Sequence, residues 1–272
     1  WVSENVERIL GYQVGEALEP GWWLAGLNPM DRDDAIACTP QLLADGYLNH
    51  EYRFRRRDGS EIWVRDELRR VGTPHADTAD FVGSWTDITA DKRAALIGDA
   101  RAEVLDRIVA SEPLGQILEA IALRMQSIEP AMRVSIQLLD EASGRLTNGA
   151  APSLPGFYNA AVEGLQPEEG AGCCGTSAFL GEPVLAEDVL DHPYWTEYVD
   201  LVRRAGFRAC WSIPFKNAAG HVLGTFAVYH DMPGLPDASQ FGLINDFSRI
   251  TGLAVQKVRA ACGVTAWLVE DY

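Results

Sequence analysis

The stretch GFRACWSIPFKNAAGHVLGTFAVYH, residues 206–230, holds two segments of strand character separated by a short turn. The segments cover residues 210–216 and 222–230, and Ala218-Ala219-Gly220 lies between them. Two strand-like runs joined by a few residues that include Gly are typical of a β-hairpin. Further strands are predicted at residues 134–138, 145–150 and 183–189, with helical segments between and after them. The sequence therefore predicts an α+β domain over residues 111–262, in which helices flank an antiparallel sheet.

A second hairpin is predicted earlier in the chain, in EYRFRRRDGSEIWVRD, residues 51–66. The residues on each side of Asp58-Gly59 follow a period of two, and Asp-Gly between two alternating runs is the strongest short-range hairpin signal. A third strand at residues 81–88 would complete a half-exposed antiparallel sheet. We assign residues 1–92 to this first α+β domain.

A helix is predicted to connect the two domains over residues 93–110. Its apolar residues Ile97, Ala100, Val104 and Ile108 form one stripe. Such a stripe either packs against its own domain or pairs with a second copy of the chain. We expect pairing, and hence a homodimer, because a helix between two domains has few other surfaces to cover it.

Composition and charge argue against several partners. The sequence has 23 Lys+Arg and 39 Asp+Glu, a net charge of −16, which would repel nucleic acid and anionic lipid surfaces. No apolar run approaches the roughly 18 residues that span a bilayer, and the first residues lack a signal-peptide pattern. Five cysteines without CxxC spacing argue against a disulfide framework and a zinc site. We therefore expect a cytoplasmic protein with reduced thiols, no nucleic-acid partner, no metal and no direct membrane insertion.

Four segments of the first domain follow one another in a recognisable order. They are LGY at residues 10–12, PMDRDD at residues 29–34, the hairpin of residues 51–66 and GSWTDITADKRA at residues 83–94. This order resembles a PAS domain with its C-terminal PAC motif, although Asn28 stands where the family's HPDD segment has His. The resemblance implies an opening strand, which residues 1–92 lack.

The last ten residues, GVTAWLVEDY at 263–272, alternate like a strand and resemble the opening strand of a PAS domain. Either another PAS domain begins here, or this segment supplies the strand that the first domain lacks. We favour the start of a further domain.

The second domain carries EEGAGCCGTSAFLGEPVLAEDVLDHPYW at residues 168–195, then the hairpin of residues 206–230, then a long closing helix. This order resembles a GAF domain, of the variety found ahead of cyclic-di-GMP synthase or phosphodiesterase domains and of histidine kinases. The resemblance implies a sensory input module of a bacterial signalling protein, which binds a small ligand or senses redox state and controls a covalently linked output domain. No GGDEF, P-loop or kinase histidine segment occurs in the sequence, so we expect no enzyme activity in this segment.

Several residues are candidates for the ligand pocket that the GAF resemblance implies. Cys173, Cys174 and Thr176 lie where a glycine turn enters a helix, and a helix start can receive an anion or lower a thiol pKa. Alternatively, this is a tight turn with small buried side chains. The remaining candidates are Trp195, Tyr198, Cys210, Trp211, Tyr229 and His230. The aromatic residues could equally belong to the core, and His230 is either a structural histidine or a ligand to haem or a metal.

Two other functions stay open. One is a dimerisation and positioning module whose pockets are filled with side chains. The other is a thiol-based methionine sulfoxide reductase of the GAF type, which shares a segment like Gly172 to Gly175 but has further cysteines that this sequence does not match. The Cys-His pair of bilin-binding domains and the NKFDE motif of cyclic-nucleotide-binding domains do not occur. We therefore expect no required cofactor, and neither haem nor bilin.

Overall fold

The computed structural model describes residues 1–71 and 80–269, with side chains up to residue 261. It divides into two compact units, residues 1–96 and residue 97 onward. The helices are α1 (Asn5–Leu10), α2 (Val14–Ala17), α3 (Trp22–Gly26), α4 (Arg32–Ala37), α5 (Thr39–Asp45), α6 (Thr89–Val109), α7 (Leu114–Ile128), α8 (Gly156–Val162), α9 (Gly172–Leu180), α10 (Val199–Ala205) and α11 (Ala238–Val269), with a 3₁₀ helix at Pro193–Tyr198. The strands are β1 (Tyr47–Arg55), β2 (Glu61–Val71), β3 (Asp80–Asp87), β4 (Arg133–Leu139), β5 (Leu146–Ala150), β6 (Val184–Ala186), β7 (Ala209–Lys216) and β8 (Val222–His230).

The first unit is built on a three-stranded antiparallel sheet in the order β1-β2-β3. Its first hairpin turns at Gly59, whose φ of +88° is a left-handed conformation that glycine adopts without strain. In the resulting register Tyr52 lies opposite Val64, and Phe54 lies opposite Ile62. These four side chains are buried together against the short helices, so the predicted hairpin and third strand are confirmed.

The second unit contains a five-stranded antiparallel sheet in the order β5-β4-β8-β7-β6. One face packs against α6, α7 and α11, and the other packs against α8, α9, α10 and the 3₁₀ helix. Because successive side chains of a strand point to opposite faces, each central strand contributes to two separate cores. The predicted α+β class is confirmed for both units. Strand β6 is shorter than predicted, because Asp188 turns the chain by accepting a hydrogen bond from the Leu190 N–H at 3.1 Å.

The apolar stripe of the connecting helix is covered by the second unit itself. Ala100, Val104 and Ile108 are buried in the same core as α7 and α11. Burial of a large aliphatic side chain contributes about 1.5–3 kcal/mol, which is enough to hold α6 on its own unit. The expectation that this stripe pairs with a second copy is therefore wrong, and a homodimer stays a prediction that would need another surface.

The strand expected at residues 263–272 is also corrected. Residues 263–269 continue α11, which runs without interruption from Ala238 to Val269. Extending an existing helix adds one backbone hydrogen bond for each residue ordered, whereas a new strand would need a partner edge. Residues 270–272 lie outside the described part of the chain. Within the described part, none of the helices has the length and apolar character needed to cross a membrane.

Gly224 of β8 lies so close to β4 and β7 that a side chain at this position should lower the stability of the domain. A Cβ at this position would lie 2.1 Å from the Gln137 carbonyl oxygen and 2.4 Å from the Phe215 ring. We expect Gly224→Ala to lower the free energy of unfolding of the second unit by about 1–3 kcal/mol, as overpacking does. Urea unfolding followed by circular dichroism measures this.

The matched control is Gly115→Ala in α7, where an added Cβ has no neighbour within 4 Å. Because alanine is the better helix former, this variant should gain about 0.5–1 kcal/mol. Equal effects of the two substitutions would contradict the packing described at Gly224.

Candidate functional site

A small pocket lies on the face of the second sheet that α9 covers. Its volume is about 20 Å³, close to the space that one water molecule needs. The walls come from α8, α9, the 3₁₀ helix and the sheet. The lining residues are Gln137, Tyr158, Val162, Leu165, Ala171, Gly172, Cys173, Cys174, Trp195, Tyr198 and Tyr229.

A glycine turn sets the start of α9 against this pocket. Gly170 and Gly172 have φ angles of +97° and +57°, which residues other than glycine adopt only with strain. The Gly170 N–H donates to the Thr176 Oγ1 at 3.1 Å, which closes the turn over the first helical residues. A side chain at Gly172 would also contact the Trp195 ring at 3.5 Å. The turn therefore places Cys173 and Cys174 directly in the buried layer.

Hydrogen bonds tie the two thiols to the sheet and to the pocket aromatics. The Trp195 Nε1–H donates to Cys173 Sγ at 3.3 Å, and the Cys173 thiol donates to the Cys210 carbonyl oxygen at 3.2 Å. Cys174 Sγ lies 3.6 Å from the Tyr229 hydroxyl. The Tyr158 hydroxyl in turn donates to the Tyr229 oxygen at 3.3 Å. The pocket is thus a connected polar network inside an apolar layer.

Burial and hydrogen bonding move the pKa values of this network in opposite directions. A hydrogen bond from the Cys210 thiol, assisted by Tyr229, lowers the pKa of Cys174 to about 7 against the effect of its burial. Burial raises the pKa of Cys210 well above its usual value, and does the same to Tyr158 and Tyr229. Cys174 therefore ionises at a lower pH than Cys210, Tyr158 and Tyr229.

Six of the nine predicted site residues meet around this network. Cys173, Cys174, Trp195, Tyr198 and Tyr229 line the pocket, and Cys210 belongs to the same buried cluster. Thr176 is buried in α9, where its hydroxyl holds the glycine turn.

Two predicted pocket residues lie on the wrong face of the sheet. Trp211 packs with the core under α7 and α11, and the His230 ring lies beside it with a centroid separation of 4.4 Å. Each directly follows a pocket-facing residue, Cys210 or Tyr229, so the alternation of a strand turns it away. Burial lowers the pKa of His230, which favours the neutral ring of a structural histidine.

Sequence reasoning missed Tyr158 and Gln137, which also line the pocket. Strand alternation could have indicated Gln137. It follows Ile136 in β4, so its side chain faces the side of the sheet opposite to that of Ile136. Tyr158 lies on α8, and no local pattern in the sequence indicates which residues surround it. Among side chains of residues 1–71 and 80–261, no group of three His, Cys, Asp or Glu is placed to hold a metal ion.

Comparison with known proteins supports the assignment of both units. Residues 113–255 match the family described as GAF domain, and residues 1–83 match the family described as PAS fold. A methyl sulfide methyltransferase-associated sensor from Methanosarcina acetivorans is 28% identical over 265 residues, which is 96% of this chain. The chain spans only 26% of the length of that sensor.

Two solved structures are similar to about two thirds of this chain. One is a free methionine-R-sulfoxide reductase from Neisseria meningitidis, 17% identical with a TM-score of 0.50, covering 65% of this chain and 96% of that chain. The other is a GAF domain of a phosphoenolpyruvate-protein phosphotransferase from Coxiella burnetii, 17% identical with a TM-score of 0.51, covering 62% of this chain and 98% of that chain. At this identity the similarity establishes the fold alone.

The thiol network predicts the ionisation of Cys174. Its pKa of about 7 means that the thiol predominates below neutral pH and the thiolate above it. Tyr229→Phe removes a hydrogen bond to the thiolate, so we expect the midpoint to rise, by roughly half a unit to one unit. The ¹³Cβ chemical shift of Cys174, assigned with Cys174→Ser and followed from pH 5 to 10, measures both values.

The control is Tyr194→Phe, because the Tyr194 hydroxyl contacts Glu169 at 3.4 Å rather than a thiol. This variant should leave the midpoint unchanged. A wild-type midpoint at 9 or above would contradict the network described here.

Proposed function

Because the chain belongs to the GAF domain family and carries a PAS fold ahead of its GAF domain, we propose that it is a sensory input module of a signal-transduction protein. The observation that carries this proposal is the polar thiol-tyrosine pocket enclosed between α9 and the sheet. Polar groups inside a core are costly unless they are hydrogen-bonded, so a buried network of this kind is a candidate for function.

The sheet offers a route from the pocket to the closing helix. Cys210 and Ser212 of β7 face the pocket side, whereas Trp211 and Phe215 of the same strand pack toward α11. At the end of β7 the Gln256 Nε2 of α11 donates to the Lys216 carbonyl oxygen at 3.1 Å. A change in the pocket that shifts β7 would therefore change the packing of α11. Close-packed cores favour such discrete shifts over gradual deformation.

Two kinds of signal fit the pocket. The first is a small ligand, which would have to enlarge a cavity of about 20 Å³ and bind the enlarged state more tightly. The second is oxidation of the thiols, since Cys174 has a lowered pKa and a hydrogen bond to Cys210. Cys174 and Cys210 would together lose two electrons and two protons to a peroxide, which would be reduced to water, and a disulfide would form.

The size of the pocket favours a second candidate function. A cavity that holds about one water is what a filled, non-binding domain would have. In that case the segment would position and dimerise its output domain without receiving a signal in the GAF domain. Homodimerisation is part of both proposals.

The output domain, on either proposal, is covalently linked and lies outside this sequence. By resemblance it would be a cyclic-di-GMP synthase or phosphodiesterase or a histidine kinase, and this segment itself would have no catalytic activity. A cytoplasmic location is supported by the thiols of Cys38, Cys173, Cys174 and Cys210, which are all free. Reduced cysteines are the rule in that compartment.

Mass spectrometry and hydrogen–deuterium exchange test the sensory proposal together. Native and denatured masses of the purified chain reveal any bound ligand. Hydrogen peroxide should then lower the denatured mass by about 2 Da, the loss expected for one disulfide. Either event should change the exchange of α9 and of the buried part of α11.

The matched variants are Cys174→Ser, which should abolish the response to peroxide, and Cys38→Ser, which should keep it because Cys38 lies in the first unit. A chain with no added mass, no peroxide response and unchanged exchange would overturn the sensory proposal. That result would favour the positioning module.

A further inference from the structure

The PAS domain contains a cavity that is larger than the thiol pocket of the GAF domain. It has a volume of about 350 Å³, within the range of about 300–1,000 Å³ typical of small-molecule sites. It lies between the inner face of the three-stranded sheet and the helices α3, α4 and α5. Its lining residues are Trp23, Ala35, Thr39, Leu42, Leu48, His50, Asp66, Leu68 and Trp85.

A buried carboxylate lies in the wall of this cavity. Asp66 is only 4% exposed, although it carries a charge when ionised. Its Oδ2 accepts a hydrogen bond from the Tyr52 hydroxyl at 2.8 Å and lies 3.4 Å from the His50 Nε2. Its Oδ1 is buried and has no hydrogen-bond partner among the described residues. An unpaired buried acceptor costs about 1–3 kcal/mol, and more when it is charged, so a donor at this atom would be stabilising.

The register of the sheet places a histidine and an aromatic residue beside the Asp66 side chain. His50 and Trp85 are the residues directly opposite Asp66 on β1 and β3. Trp23 of α3 lies above, where its Nε1–H donates to the Tyr52 hydroxyl at 3.0 Å. Gly83 of β3 adds no side chain beside this carboxylate, and a Cβ there would lie 2.6 Å from Leu68 Cδ2 and 3.6 Å from the Asp66 Oδ1.

The arginines of this unit do not neutralise the carboxylate. Arg53 pairs with Asp31, Arg65 pairs with Glu51, and the Arg70 guanidinium donates to the Leu43 carbonyl oxygen. Among the ion pairs of the described residues, the partner of Asp66 is His50 alone. The cavity therefore has a carboxylate without an arginine partner in its wall, beside apolar side chains and two indole rings.

We propose that this cavity binds a small organic ammonium ion. One N–H of the ligand donates to the Asp66 Oδ1, and its hydrocarbon part lies against Leu48, Leu68 and the rings of Trp23 and Trp85. A cation beside a carboxylate gains a charge-assisted hydrogen bond, and indole faces attract cations. An anion of the same shape would be repelled by Asp66. A role for this ligand as a signal rests on the sensory function proposed above, but its binding does not.

Binding is tested with three probes of one shape and different charge: 2-phenylethylammonium, 2-phenylethanol and phenylacetate. The full 272-residue chain is titrated with each probe while the indole N–H resonances of Trp23 and Trp85 are followed by NMR. We expect the ammonium probe to bind at least about tenfold more tightly than the alcohol, because charge-assisted hydrogen bonds are roughly twice as strong as neutral ones. Phenylacetate should bind most weakly.

Asp66→Asn keeps the shape of the side chain and removes its charge, so it should abolish the preference for the ammonium probe. Glu67→Gln is the matched control, since Glu67 is the next residue of β2 and is exposed on the opposite face. It should keep the preference. Circular dichroism verifies that both variants fold. If Asp66→Asn does not fold, the comparison of the three probes on the wild-type chain still tests the proposal.

Equal binding of the ammonium and alcohol probes, a preference for phenylacetate, or no saturable binding at millimolar concentration would overturn the proposal. So would a folded Asp66→Asn variant that keeps the wild-type preference. The ammonium proposal is tested by the indole N–H resonances of the PAS domain. The sensory proposal is tested by the peroxide response of the thiols and by the hydrogen–deuterium exchange of α9 and α11 in the GAF domain. Failure of one is therefore distinguishable from failure of the other.

Discussion

The alternation of side chains across the five-stranded sheet is the constraint on which the GAF domain depends. Each of the central strands β4, β7 and β8 has to satisfy two different environments, an apolar helical layer on one face and a polar pocket on the other. Neighbouring residues such as Cys210 and Trp211 therefore have unrelated surroundings although they are consecutive in the chain. The same alternation allows one strand to contact both the pocket and α11, which gives the pocket a physical connection to the closing helix.

The two domains enclose polar groups in different ways. In the GAF pocket the thiols and the tyrosine hydroxyls hydrogen-bond one another, and the remaining space holds about one water. In the PAS cavity the carboxylate of Asp66 is hydrogen-bonded at one oxygen only, and this residue lines a space of about 350 Å³. A nearly filled pocket with hydrogen-bonded thiols suits a change in bonding, such as thiol oxidation. A large cavity with an unpaired hydrogen-bond acceptor in its wall suits a ligand that has a hydrogen-bond donor.

The helices that border the GAF domain are part of its core. Buried residues of α6 lie in the same apolar cluster as those of α7 and α11, and an ion pair joins Arg101 of α6 to Asp246 of α11. The Lys257 ammonium of α11 also donates to the Val109 carbonyl oxygen at 3.1 Å, near the end of α6. The entering and leaving helices are thus packed on each other, so a shift of one has consequences for the other.

The amino-acid sequence by itself determined the α+β class, both hairpins and the position of the cysteines at the start of α9. These features depend on period-two alternation, on Asp58-Gly59 and on the glycines around Cys173, all of which act within a few residues. Only the tertiary structure decided that α6 packs on its own domain, that Trp211 and His230 turn away from the pocket, and that Asp66 lines a cavity. The sides of the sheet, the volume of a cavity and the partner of a buried carboxylate depend on residues far apart in the chain, and no local pattern encodes how closely such residues pack.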